Sequence, residues 1–139
     1  MKARLPHSDL SLLTGMLSRL RRVEHSVLEL FYSVIPLIAP CSDRHYCTNV
    51  PDYRFFKKYV FCILIPMIRS PVLRIDLRSD RVPITSRILH LEDFDMESSG
   101  QPGSRWVHFN LPLDTAAVGE ALKLISRVSA ENTELTSAS

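Results

Sequence analysis

Glycine is scarce in this 139-residue chain, and its four copies are scattered. Gly15, Gly100, Gly103 and Gly119 cannot assemble a Walker A or dinucleotide fingerprint, because both need clustered glycines where a helix begins. Lysine is as rare. None of Lys2, Lys57, Lys58 and Lys123 has an acid two residues before it, which excludes the acid-x-lysine triplet of a restriction-type nuclease. H-E-x-x-H, G-x-S-x-G and paired C-x-x-C motifs are absent as well, which removes the common zinc proteases, serine hydrolases and zinc ribbons. Long apolar runs are missing. Ser26 to Pro40 is broken by Glu29 and two prolines, and Tyr59 to Ile68 is ten residues, whereas a spanning helix needs about 20. The opening residues pass from a basic start to Pro6-His7-Ser8-Asp9 with no apolar run, so no secretory signal is read and no membrane partner is expected. An odd number of cysteines in a chain large enough to build a core without staples predicts free thiols in the cytoplasm.

The composition that remains, 45% hydrophobic and 23% charged with a formal net charge of +2, predicts one soluble globular domain over residues 1–139. The charge is too slight to demand nucleic acid or an anionic membrane by itself.

Periodicity then divides the chain. Leu13, Met16, Leu17, Leu20, Val23, Val27, Leu30, Phe31 and Val34 recur at spacings of three and four, which predicts one long helix capped by Ser8 or Asp9. Gly15 weakens its first turn and moves the ordered start toward Thr14. Pro36 should stop it at Ile35. Ala39 to Asp52 is punctuated by Pro40, Asp43, Asn49 and Pro51 and reads as loop. Phe55 to Ile65 reads as one strand, apolar on both faces from Tyr59 onward and so central in its sheet. Val72 to Arg78 alternates cleanly, Leu73, Ile75 and Leu77 against Arg74, Asp76 and Arg78. Ile84 to Leu91 is a third predicted strand, Glu92 to Ser104 a loop, and Arg105 to Leu111 a fourth strand. Asp114 caps a closing helix with Val118, Ala121, Leu122, Ile125 and Val128 inward, and residues 131–139 should fray. Strands joined by connections too short for crossover helices imply an α+β fold, an antiparallel sheet of about four strands with a long N-terminal helix and a C-terminal helix packed on it.

Arginine makes up 13 of the 17 basic residues. Its planar fork suits phosphate and carboxylate recognition, so Arg74, Arg78, Arg81, Arg87 and Arg105 are the candidate nucleic-acid contacts, balanced by cross-strand pairing with Asp76 and Asp80 as a purely structural role. Trp106 and the Val23 to Val34 stripe are the candidate surfaces for a protein partner. Cys41, His45 and Cys47 carry zinc-ligand chemistry, but C-x3-H-x-C matches none of the common finger spacings, so no metal and no cofactor is expected.

Leu73-Arg74-Ile75-Asp76-Leu77, the acidic loop, Trp106-Val107-His108-Phe109-Asn110-Leu111 and Ala121-Leu122-Lys123-Leu124-Ile125 together resemble a small domain found at the end of bacterial predicted transport proteins or fused to nuclease-like domains. That resemblance implies that Leu28 to Phe61 supplies an opening helix and first strand. The closing strand and helix are also similar to the YjbR-like double-wing proteins, suspected DNA binders. Neither family offers a catalytic motif to match, so no site residue follows from the resemblance, and the glycine-rich turn expected before the last strand is reduced to Gly100 and Gly103. The expectation is therefore a non-catalytic interaction module, binding nucleic acid through an arginine-bearing sheet face or, alternatively, a protein partner, with an enzyme as the third reading.

Overall fold

The computed structural model describes residues 19–79, 84–94 and 105–137. Helix α1 (His25–Ile38) leads through a 3-10 turn (Ala39–Cys41) into strands β1 (Arg44–Cys47), β2 (Tyr53–Phe56), β3 (Val60–Pro66), β4 (Leu73–Arg78), β5 (Glu92–Phe94) and β6 (Trp106–Leu111), and helix α2 (Thr115–Ser137) closes the chain. The strands form a single sheet in the order β1-β2-β3-β4-β6-β5. Every neighbouring pair is antiparallel. The class is the expected α+β, with six strands where about four were predicted. No helix among the described residues is long and apolar enough to cross a membrane.

The pleat separates two faces. Phe55, Cys62, Leu64, Leu73, Ile75, Leu77, Val107, Phe109 and Leu111 share one core with Val27, Phe31, Val34 and Ile38 of α1 and with Ala117, Ala121, Leu124, Ile125 and Val128 of α2. Both helices therefore cover the same face. The predicted central strand is confirmed in β3, whose Ile63 and Leu64 point to opposite faces and are both buried.

The differences from expectation have local causes. The helical periodicity continues through Leu20 and Val23, but the backbone turns at Arg21–Val23 and α1 starts afresh behind Glu24, whose carboxylate accepts from the Ser26 and Val27 amides at 3.2 and 3.4 Å. Residues before 19 lie outside the described part. Pro36 sits inside α1 rather than ending it, and the helix runs to Ile38. Proline removes one i→i−4 bond; here the carbonyl left without a donor is that of Tyr32, on the exposed side of the helix. The predicted 39–52 loop contains β1, and the predicted 55–65 strand is a hairpin, its turn closed by the Lys57 amide on the Tyr59 carbonyl at 3.0 Å. Ile84–Leu91 is not a strand. Ser86 Oγ accepts from the Ile88 and Leu89 amides at 3.2 and 2.9 Å, a local turn that replaces the ladder while Ile84 and Leu89 still reach the core. β5 falls instead at Glu92–Phe94, inside the predicted loop. The Asp114 cap is present, with Oδ2 accepting from the Ala117 amide at 3.0 Å. The helix behind it continues to Ser137, past the point where fraying was expected.

Candidate functional site

Register places a second set of side chains on the face that no described helix covers. Arg44 lies opposite Phe56, Tyr46 opposite Arg54, and Arg54 opposite Ile63. Ile63 faces Asp76 and Ile65 faces Arg74; across the next seam Arg74, Asp76 and Arg78 face Asn110, His108 and Trp106. Glu92 and Phe94 complete the row against His108 and Trp106. The result is a sheet face of arginines interleaved with aromatic rings.

Two arginines are held by buried carboxylates. Arg54 grips Asp52 through Nε at 3.1 Å and Nη2 at 3.3 Å, and Arg74 donates from Nε to Asp76 Oδ1 at 2.8 Å. Asp76 is only 2% exposed. Burial lifts its carboxyl above the ordinary value of 3.8, against the opposing pull of the Arg74 hydrogen bond and the nearby His108. Asp52 also accepts from Thr48 Oγ1 at 2.7 Å, which ties the β1–β2 loop to the sheet face.

Arginine over aromatic rings supplies the other recurring contact. Arg44 lies 4.5 Å from the Phe56 ring centroid, Arg74 5.2 Å from that of Phe94, and Arg78 5.4 Å from that of Tyr59. Tyr46 stacks on Phe56 with centroids 5.3 Å apart and planes 16° apart. Tyr46 is 45% and Tyr59 40% exposed.

The candidate residues from the sequence separate on this geometry. Arg74 and Arg78 are on one face as expected, but Arg78 is 5% exposed and lies under the Tyr59 ring. Trp106 is on the same face and 1% exposed, so it does not form an open contact surface in this state. Arg105 is exposed just before β6, its carbonyl accepting from the Ser79 amide at 2.7 Å. Arg87 lies on the irregular 84–91 segment, whose Ser86 reaches Glu120 of α2 at 3.3 Å, away from the arginine row. Arg81 lies outside the described residues. Arg44 and Tyr46 were missed because the 39–52 region was read as loop, and Arg54 and Phe56 because the separate strand β2 was not recognised ahead of the apolar run. The signal was present as Arg44-x-Tyr46 and Arg54-x-Phe56, a period of two across Asn49 and Pro51.

Cys41, His45 and Cys47 do not converge. No group of three or more metal-ligating side chains occurs among the described residues. His45 Nδ1 pairs with the Tyr53 hydroxyl at 2.7 Å. Burial, with Asp52 nearby, pushes the Cys47 thiol up to about 11, and burial raises Cys62 well above its ordinary value. Both thiols are held in the protonated form, which is neither a ligand nor a nucleophile.

Comparison of the chain with models of known families, with curated proteins and with solved structures found no match.

Proposed function

We propose that this chain is a non-catalytic module that binds single-stranded nucleic acid across the face of its sheet that no described helix covers. The observation that carries the reading is the Tyr46–Phe56 stack with the Arg44 guanidinium over Phe56 at the β1–β2 edge. An exposed ring beside a cation gives a base a flat surface to stack on and its phosphate a positive partner. Arg54 and Arg74 continue the row inward, each fixed by a carboxylate that leaves other guanidinium N–H groups to donate. A single strand suits this arrangement better than a duplex, because bases must be unstacked to lie on side-chain rings.

The two surfaces considered for a protein partner support that alternative less well. Trp106 is buried, and the apolar positions Val23, Val27, Leu30, Phe31 and Val34 are buried in the core.

The test is fluorescence anisotropy of a labelled oligo-dT against the wild-type chain and an Arg44→Ala, Tyr46→Ala variant. Both positions are exposed, so the variant should fold. Stacking contributes about 1–3 kcal/mol per base, and one lost phosphate contact lowers the salt slope by about 0.7 for a single strand. The expected result is at least about tenfold weaker binding with a flatter salt dependence. Equal affinity and slope in the two proteins would overturn the assignment.

A further inference from the structure

Strand β5 has three residues and lies at the outer edge of the sheet, so its ladder alone holds it weakly. Its other attachments converge on one histidine. The Phe94 ring meets the His108 imidazole with centroids 5.2 Å and planes 71° apart, and Glu92 Oε2 lies 3.4 Å from His108 Nε2. The second oxygen of the same carboxylate, Oε1, lies 3.2 Å from Nε2 of His90, just ahead of the strand. One carboxylate is therefore shared by two imidazoles, one oxygen to each.

His108 stands between two acids. Register puts it opposite Glu92 of β5 on one side and opposite Asp76 of β4 on the other. Asp76 is buried, His108 is half-buried, and Glu92 and His90 are exposed. The other charges on the facing strand are Arg74 and Arg78. Arg74 is engaged by Asp76 at 2.8 Å and lies over the Phe94 ring, and Arg78 lies by the Tyr59 ring. Asp93, the remaining charge of β5, is opposite the core residue Val107 and so on the other face. A proton added to His108 thus meets a carboxylate on each neighbouring strand.

Histidine ordinarily changes charge between about pH 5 and 8. A neutral imidazole offers Glu92 at most one uncharged N–H, whereas a protonated one offers a charge-assisted bond roughly twice as strong. Docked β5 makes these pairs and released β5 does not, so proton binding favours docking and docking favours proton binding. From the single carboxylate shared by two imidazoles, we infer that β5 is a proton-dependent clasp, tightened onto the sheet in mild acid and loosened as pH rises through neutrality. Loosening it takes the Phe94 ring away from Trp106 and from Arg74. The clasp does not depend on the nucleic-acid reading and stands without it.

The chain has one tryptophan, and Phe94 lies beside it with ring centroids 6.4 Å apart, so access of a quencher to Trp106 reports on the clasp. The measurement is acrylamide quenching of the full chain, corrected for the excited-state lifetime so that quenching by a nearby imidazolium drops out. The wild-type quenching constant should be about threefold larger at about pH 8 than at about pH 5.5, the scale of partly exposed ion pairs. Glu92→Gln, at an exposed position, keeps a hydrogen-bond acceptor but removes the charge, and should give the same constant at both pH values. His108→Gln should lose most of the wild-type difference and His90→Gln a smaller part of it. A wild-type constant that does not change with pH would overturn the clasp. A change that survives intact in Glu92→Gln would also overturn it, and would place the responsible proton on Asp76 instead.

Discussion

Arg74 and Asp76 illustrate how polar side chains are stabilised on the sheet face that no described helix covers. Asp76 is almost fully buried and its nearest cation is Arg74, whose side chain is 31% exposed. The pair is asymmetric. Arg74 can turn to water if Asp76 is neutralised, whereas Asp76 cannot escape if Arg74 is removed. Arg74→Ala should therefore cost about 3 kcal/mol at neutral pH, at the low end of the range for leaving a buried charge unpaired. Asp76→Asn should cost less, and the double variant should recover part of the Arg74→Ala loss. The pH dependence follows from the raised carboxyl. A group that holds its proton more tightly when folded contributes its stability below the unfolded value, and that contribution is lost as pH rises through the folded value. The wild type should therefore lose stability relative to Asp76→Asn between about pH 3.8 and neutrality, and the Arg74→Ala cost should shrink in acid. Urea denaturation of the four proteins at acidic and neutral pH decides this. A gap that moves toward the wild type as pH rises would show that Arg74, not burial, governs Asp76.

At the scale of elements, α2 is the part the sequence described best, and it also shows the limit of periodicity. The Asp114 cap and the inward positions Ala121, Ile125 and Val128 are as the spacing predicts. The stripe is rotated slightly, however. Ala117 and Leu124 are buried, while Val118 and Leu122, both predicted inward, are only partly so. Spacings of three and four admit either rotation, and the sheet selects one. Ile125, 1% exposed, should cost about 2–5 kcal/mol when truncated to alanine. Leu122→Ala should cost clearly less, and the exposed Lys123→Ala less than about 0.5 kcal/mol. Guanidinium midpoints for the three variants check the order; Leu122→Ala as damaging as Ile125→Ala would mean a different docking angle. β3, β4 and β6 were legible for a related reason, since each either alternates or is apolar on both faces. β1, β2 and β5 were not. They have four, four and three residues, too few to establish a period, and the β2–β3 turn has only Lys57-Lys58 to announce it, with no glycine, proline or asparagine. The candidate site was half visible for the same reason. Arg74 and Arg78 lie on a long alternating strand, while Arg44, Tyr46, Arg54 and Phe56 lie on short ones.

At the scale of the molecule, both described helices lie on one side of a six-stranded antiparallel sheet, and no described helix covers the other. The arginines Arg44, Arg54 and Arg74 are paired in place, with a carboxylate or with a ring, so this part of the face is preorganised and its edge hairpin keeps Tyr46 and Arg44 in solvent. Preorganised rings and guanidinium groups lose little freedom when a ligand arrives, which is the energetic case for a binding face. The most direct measurement of this account is a backbone amide NMR titration of the full chain with a short oligo-dT. The account predicts that perturbed amides concentrate in β1 and β2 around Arg44, Tyr46, Arg54 and Phe56 and extend to Arg74, while the exposed side of α1 and the Lys123 side of α2 stay unmoved. Perturbations centred on the helices, or none at saturating oligonucleotide in low salt, would contradict it.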